Sequence, residues 1–222
     1  MRLLVAVIVA LAVPVATAQA VPTATFDGST VTVEAPPGEA NQIHPKVVEC
    51  SDCAPGVLLY SLQDKSFLST PGQNMIPGPG CTPNSGDGGA FCGDTGNVRV
   101  VRLLLNDGAD RANRPDLTAR SGPLPIAADY DGGPGDDRLR SGDQADTLNG
   151  GAGDDALSGE GGNDLLIGGP GADLLSAGDG NDVVQAADGT RDTVSCGAGV
   201  DRATVDKKDR VSSNCEKVRI KR

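Results

Sequence analysis

Tryptophan is absent from this sequence, and aromatic side chains of any kind are scarce: two Tyr and three Phe in 222 residues. Aromatic rings supply much of the buried area in ordinary cores, so their scarcity argues against a bulky interdigitated interior. Histidine is nearly absent too. The one copy, His44, stands beside Pro45, and a Ser/His/Asp triad would have to use it, yet no G-x-S-x-G elbow is present. H-E-x-x-H is also missing, which removes the zinc metalloprotease reading. Basic residues are outnumbered, 19 Lys and Arg against 30 Asp and Glu, for a net charge of −11. Nucleic acid and anionic lipid both demand a cationic face, so neither is expected as a partner. Beyond residue 20 no stretch is apolar enough to span a bilayer.

The first twenty residues read as a processing segment. Met1 and Arg2 give a positive start, 3–13 is an apolar run, and Ala18-Gln19-Ala20 is a small-x-small cleavage signal. A signal peptide at 1–20 is expected, with an uncleaved anchor as the alternative; cleavage leaves a secreted, extracellular chain with no membrane insertion. The six Cys then read as disulfides of an oxidising compartment. Fifteen connectivities exist for six cysteines. Proximity favours Cys50–Cys53, Cys81–Cys92 and Cys196–Cys215, with a redox role for Cys50-Ser51-Asp52-Cys53 left open.

Residues 21–128 show no clear repeat. They read as short strands between Gly/Pro loops, near 23–26, 31–34, 57–62 and 98–105, with Asp27-Gly28 as a turn. No helical periodicity is evident after residue 20. From Gly132 the chain repeats in nines: GGPGDDRLR, SGDQADTLN, GGAGDDALS, GEGGNDLLI, GGPGADLLS and AGDGNDVVQ. The sixth place is always Asp: Asp137, Asp146, Asp155, Asp164, Asp173 and Asp182. The eighth is aliphatic: Leu139, Leu148, Leu157, Leu166, Leu175 and Val184. After one inserted residue, Asp192 with Val194 and Asp201 with Ala203 continue a weakened pattern.

Six Gly-rich residues suit a sharp turn, and three suit a short strand whose middle residue points inward. Two nonamers then make one circuit, and stacked circuits build an aliphatic ladder between two parallel sheets. The expected fold is an all-β parallel β-roll, or β-solenoid, of nonapeptide repeats with a β-rich N-terminal region. Stacking places Asp137, Asp155 and Asp173 on one edge and Asp146, Asp164 and Asp182 on the other. Carboxylates one strand spacing apart, roughly 4.8 Å, repel unless a cation lies between them. Residues 131–192 hold 13 Asp and one Glu against three Arg, which equals the whole net charge. Hard oxygen donors without imidazole or thiolate point to several calcium ions.

These nonamers resemble the RTX, or haemolysin-type, calcium-binding repeats, whose pattern G-G-x-G-x-D-x-U-x is met by GGPGDDRLR, GGAGDDALS and GGPGADLLS. The resemblance covers about 132–204. It implies calcium between stacked turns, held by turn carbonyls and the sixth-place Asp residues, and extends the same role to Asp192 and Asp201. A segment from Asn106 to Ala112 looks like a decayed repeat leading into the same solenoid. Departures also exist: Gln144 stands at a fourth place and Glu160 at a second, both on the edge of Asp146, Asp164 and Asp182. Tighter calcium sites are therefore expected on the other edge. The chain divides into a signal peptide 1–20, a β-rich region 21–128, a β-roll 129–204 and a C-terminal cap with basic tail 205–222. A non-enzymatic, surface structural or adhesive protein whose folding follows external calcium is expected. The alternative is a small secreted hydrolase using the roll for export and folding. A cell-surface polymer touching the basic end is a further candidate partner.

Overall fold

The structure, a computed structural model, describes residues 126–221 without interruption. Ahead of them it describes 23–27, 29–35, 42–49, 58–64, 76–77, 81–83, 90–92, 100–106, 108–112, 118–119 and 122–123. Among the described residues every regular element is a strand. The expected signal segment and the Cys50–Cys53 pair lie outside the described residues.

Alternation along each nonamer buries its eighth residue and turns the two neighbours outward. Leu139, Leu148, Leu157, Leu166, Leu175 and Val184 are all 2 % exposed or less. Arg138–Arg140, Ala156–Gly161, Leu174–Asp179 and Thr193–Ala198 pair in parallel in one sheet. Thr147–Ala152, Leu165–Ile167, Val183–Gln185 and Arg202–Val205 pair in parallel in the other. Register partners such as Leu148, Leu166 and Val184 confirm that two nonamers complete one circuit. The result is a β-solenoid of about five turns. Burying each Leu contributes roughly 1.5–3 kcal/mol, but only when a neighbouring coil covers it, so the fold is stable as a stack.

Both ladders run past the repeats. Tyr130 pairs above Leu148 and continues to Leu103 and Val33, all buried. On the other sheet Ala112 caps Leu139 and pairs with Ile43. Thr23–Phe26 folds back antiparallel on Thr30–Glu34 around Asp27, whose Oδ1 accepts the amides of Ser29 at 2.9 Å and Thr30 at 2.7 Å. At the far end, 205–221 forms one more coil. Arg210–Val211 and Lys217–Ile220 add a final strand to each sheet. Part of the expected basic tail is thus an edge strand, whose Lys217 and Arg219 discourage pairing with another chain. The Cys196–Cys215 disulfide ties this coil to the one before it. Cys81 and Cys92 are register partners on antiparallel strands.

Candidate metal centre

The turns stack as tightly as their backbones allow. A Cβ on Gly153, whose φ is +140°, would come within 1.9 Å of the Gly135 carbonyl oxygen one coil earlier. Only glycine permits both that conformation and that approach.

The sixth residue of each turn folds its carboxylate inward. One oxygen accepts the backbone N–H of the equivalent residue one coil earlier. On one edge Asp137 N donates to Asp155 Oδ1 at 2.8 Å, Asp155 N to Asp173 Oδ1 at 2.9 Å and Asp173 N to Asp192 Oδ1 at 2.9 Å. On the other, Asp146 N donates to Asp164 Oδ1 at 2.9 Å, Asp164 N to Asp182 Oδ1 at 2.8 Å and Asp182 N to Asp201 Oδ1 at 2.8 Å. All eight side chains are 3 % exposed or less. They form the two columns the nine-residue spacing implied, with Asp192 and Asp201 joined to them.

The other oxygen carries the chemistry. Oδ2 of Asp137, Asp155, Asp164, Asp173, Asp182, Asp192 and Asp201 is buried without a hydrogen-bond partner. Leaving a charged oxygen so costs more than the roughly 1–3 kcal/mol of a neutral group, and here the fault recurs coil after coil. Asp146 departs from the series: its Oδ2 accepts Gly142 N at 3.0 Å. That turn is the one with Gln144 at its fourth place. Room beside these oxygens comes from the first residue of the turn. A Cβ on Gly132, Gly150, Gly159 or Gly168 would lie 2.2–2.3 Å from Oδ2 of Asp137, Asp155, Asp164 or Asp173. In the turns of Asp146, Asp182 and Asp201 that place is held by Ser141, Ala177 and Cys196.

Burial makes the charged form unfavourable. It pushes Asp164 up to about 8, with Asp146 and Asp182 adding like charge. Asp155 and Asp192 rise to about 7, and Asp137 and Asp173 to about 6, from the same cause. Asp146 and Asp182 are raised as well, again chiefly by burial. Such carboxylates need a proton or a cation.

A calcium ion fits this donor set. Among the described residues no three His, Cys, Asp or Glu side chains converge on one point. A cation in a gap between coils would therefore draw most of its ligands from turn carbonyls, beside one or two carboxylates. All-oxygen, many-ligand coordination of that kind suits calcium better than zinc or magnesium.

Parallel coils closed by Gly/Asp turns, with orphaned carboxylate oxygens in register, define a cation-binding β-roll. Residues 131–166, 158–190 and 167–202 each match the family described as RTX calcium-binding nonapeptide repeat (4 copies), so 131–202 is built of that family's calcium-binding repeats. Neither the curated proteins nor the solved structures contain a match.

Two features escaped the reading of the sequence. The fifth residue also bridges coils: Asp154 N donates to Asp136 Oδ1 at 2.9 Å, and Asn181 N to Asn163 Oδ1 at 2.8 Å. The signal was present as the recurrent Asp or Asn before the sixth-place Asp. The columns also extend past the repeats, with Asp192 N donating to Asp209 Oδ1 at 3.1 Å and Asp201 N to Glu216 Oε2 at 2.9 Å. Coil lengths change there, so no fixed spacing marks either residue.

Proposed function

We propose that this is an exported, non-enzymatic protein whose roll takes up several calcium ions and completes its folding when external calcium is supplied. In this reading it serves as a structural or adhesive module at the cell surface. The carrying observation is the run of buried, partnerless Oδ2 atoms in two columns. Without metal each column opposes the fold; with metal it clamps successive coils. Extracellular calcium modules bind with dissociation constants of roughly 10⁻⁴–10⁻³ M. At ten times that constant one site adds only about 1.4 kcal/mol, so switching depends on several sites acting together. The N-terminal processing segment and the Cys196–Cys215 disulfide support an oxidising, external location. Committing the buried carboxylates to a cation leaves them poorly suited to general acid–base work, which supports a role without catalysis.

The test is far-UV circular dichroism of the disulfide-intact protein, titrated with calcium after chelation. A cooperative gain of β signal near millimolar calcium, not reproduced by magnesium, is expected. An unchanged spectrum with no calcium bound by calorimetry would overturn the reading.

A further inference from the structure

The outer face of the sheet that buries Leu139, Leu157 and Leu175 carries the opposite charge to the rest of the roll. Parallel register lines its outward side chains into two rows that cross the strands. One row reads Arg111, Arg138, Ala156, Leu174, Thr193 and Arg210. The other reads Arg140, Ser158, Ser176 and Ser195. Four exposed arginines thus share this face, and neither row holds a carboxylate, although 131–192 contains 13 Asp and one Glu. The sixth-place Asp side chains turn inward, and Asp136 and Asp154 lie along the turns.

Small side chains between large ones cut a trough into the face. Ala156 and Ser158 form its floor. Arg138 and Arg140 stand on the strand before and Leu174 and Ser176 on the strand after, leaving about 360 Å³ between them. Leu174 is 54 % exposed, so the trough has one bare apolar wall. Glu160 pairs with Arg140 Nε at 2.8 Å and accepts the Ser158 hydroxyl at 2.9 Å, which fixes that guanidinium at the rim.

A guanidinium meets a carboxylate with two parallel hydrogen bonds, so paired arginines select carboxylate ligands. Beyond them the face offers only hydroxyls and aliphatic surface, the chemistry of a sugar ring. The rows step from strand to strand by roughly 4.8 Å, close to the length of one sugar in an extended chain. We propose that this trough opens a groove for an extended, carboxylate-bearing glycan lying along the solenoid axis. Arg138 and Arg140 take its carboxylates, and Leu174, Ser176 and Thr193 meet its rings and hydroxyls. A nucleic acid fits worse, because a charge every ~1.7 Å would meet the acidic turns that flank the face. An acidic peptide finds no free strand edge here, the feature from which an added strand gains its main-chain hydrogen bonds.

Such a groove rests on the adhesive reading, to which it gives a ligand class, and the experiment separates the two. The probe is a labelled galacturonate pentamer, long enough to cross the five strands from Arg138 to Arg210 and too short to gel with calcium. Its binding to the disulfide-intact protein in calcium is followed by fluorescence anisotropy, with bound calcium counted by calorimetry. The Arg138→Gln/Arg140→Gln double variant is expected to bind at least about tenfold more weakly, with calcium count and melting midpoint unchanged. Arg202→Gln, the same charge change on the other sheet, should bind as the parent does. Calcium uptake without pentamer binding, or equal binding by the double variant, would overturn the groove alone. Equal binding of a neutral galactose pentamer, or of hexaglutamate with the same arginine dependence, would overturn the acidic-glycan assignment. No bound calcium, with pentamer binding still lost in the double variant, would overturn the calcium reading and leave the groove standing.

Discussion

Protons should stand in for calcium. Asp164 lies between Asp146 and Asp182 in its column, and burial raises it from 3.8 to about 8. In the unfolded chain the same group titrates near its ordinary value. Between roughly pH 4 and 8 the metal-free folded state therefore holds a proton that the unfolded state has lost. Stability is then greatest on the acid side and falls as pH rises toward the folded-state value, by about 1.4 kcal/mol per pH unit for each such proton. From pH 5 to 7, Asp164 alone costs the metal-free fold about 3 kcal/mol on this scale. For a chain of this size 1 kcal/mol moves the midpoint by roughly 2–4 °C, so a drop of about 6–12 °C is expected. Asp155 and Asp192, both near 7, act in the same direction. Thermal melts followed by far-UV circular dichroism in chelator, at pH 5, 6 and 7, measure the slope. Saturating calcium should flatten or reverse it, because the cation then replaces the protons. A metal-free midpoint that climbs from pH 5 to 7 would refute the reasoning, since carboxylates with that behaviour are not buried without partners.

Asp155→Asn should weaken calcium binding by about 1.5–3 kcal/mol, for the loss of one charged contact, and by more than Asp164→Asn does. All three repeat turns on the Asp155 edge begin with Gly, whereas that of Asp146 begins with Ser141 and has its Oδ2 satisfied by Gly142; the reverse order in calorimetry would reject this edge preference. Gly150→Ala would place a Cβ 2.3 Å from Asp155 Oδ2 and 2.7 Å from the Gly168 oxygen. About 1–3 kcal/mol of stability and some calcium affinity should be lost, and an unaltered calcium titration would show that the ion does not use this corner. Replacing Cys196 and Cys215 by Ser opens a link spanning 19 residues. A loss of about 3 kcal/mol is expected, read as a lower midpoint under non-reducing conditions.

The nine-residue alternation of Asp and Leu by itself determined a great deal. A buried eighth residue, a sharp Gly turn and an 18-residue circuit leave only one way to stack Leu139 on Leu157 and Asp137 on Asp155. The two ladders, the two acidic edges and the class of cation were legible for that reason. Periodicity is readable only while every coil has the same length, and there the sequence stops being informative. The extra residue before Asp192, the 27 residues that separate Asp110 from Asp137, whose Oδ1 accepts the Asp110 N–H at 2.7 Å, and the shortened last coil each break the spacing. Contact across the coil gap restores it, through an amide of one turn meeting a carboxylate of the next. Gln144 and Glu160 show the same division. Both look like faults in the pattern, yet the Gln144 carbonyl still lies beneath Gly162, and Glu160 keeps the turn at a φ of +71° while pairing with Arg140 at 2.8 Å. Backbone stacking tolerates those side chains because they point out of the column. Which carboxylate oxygens remain without a partner was decided only in the tertiary structure, because each depends on an amide one full coil away.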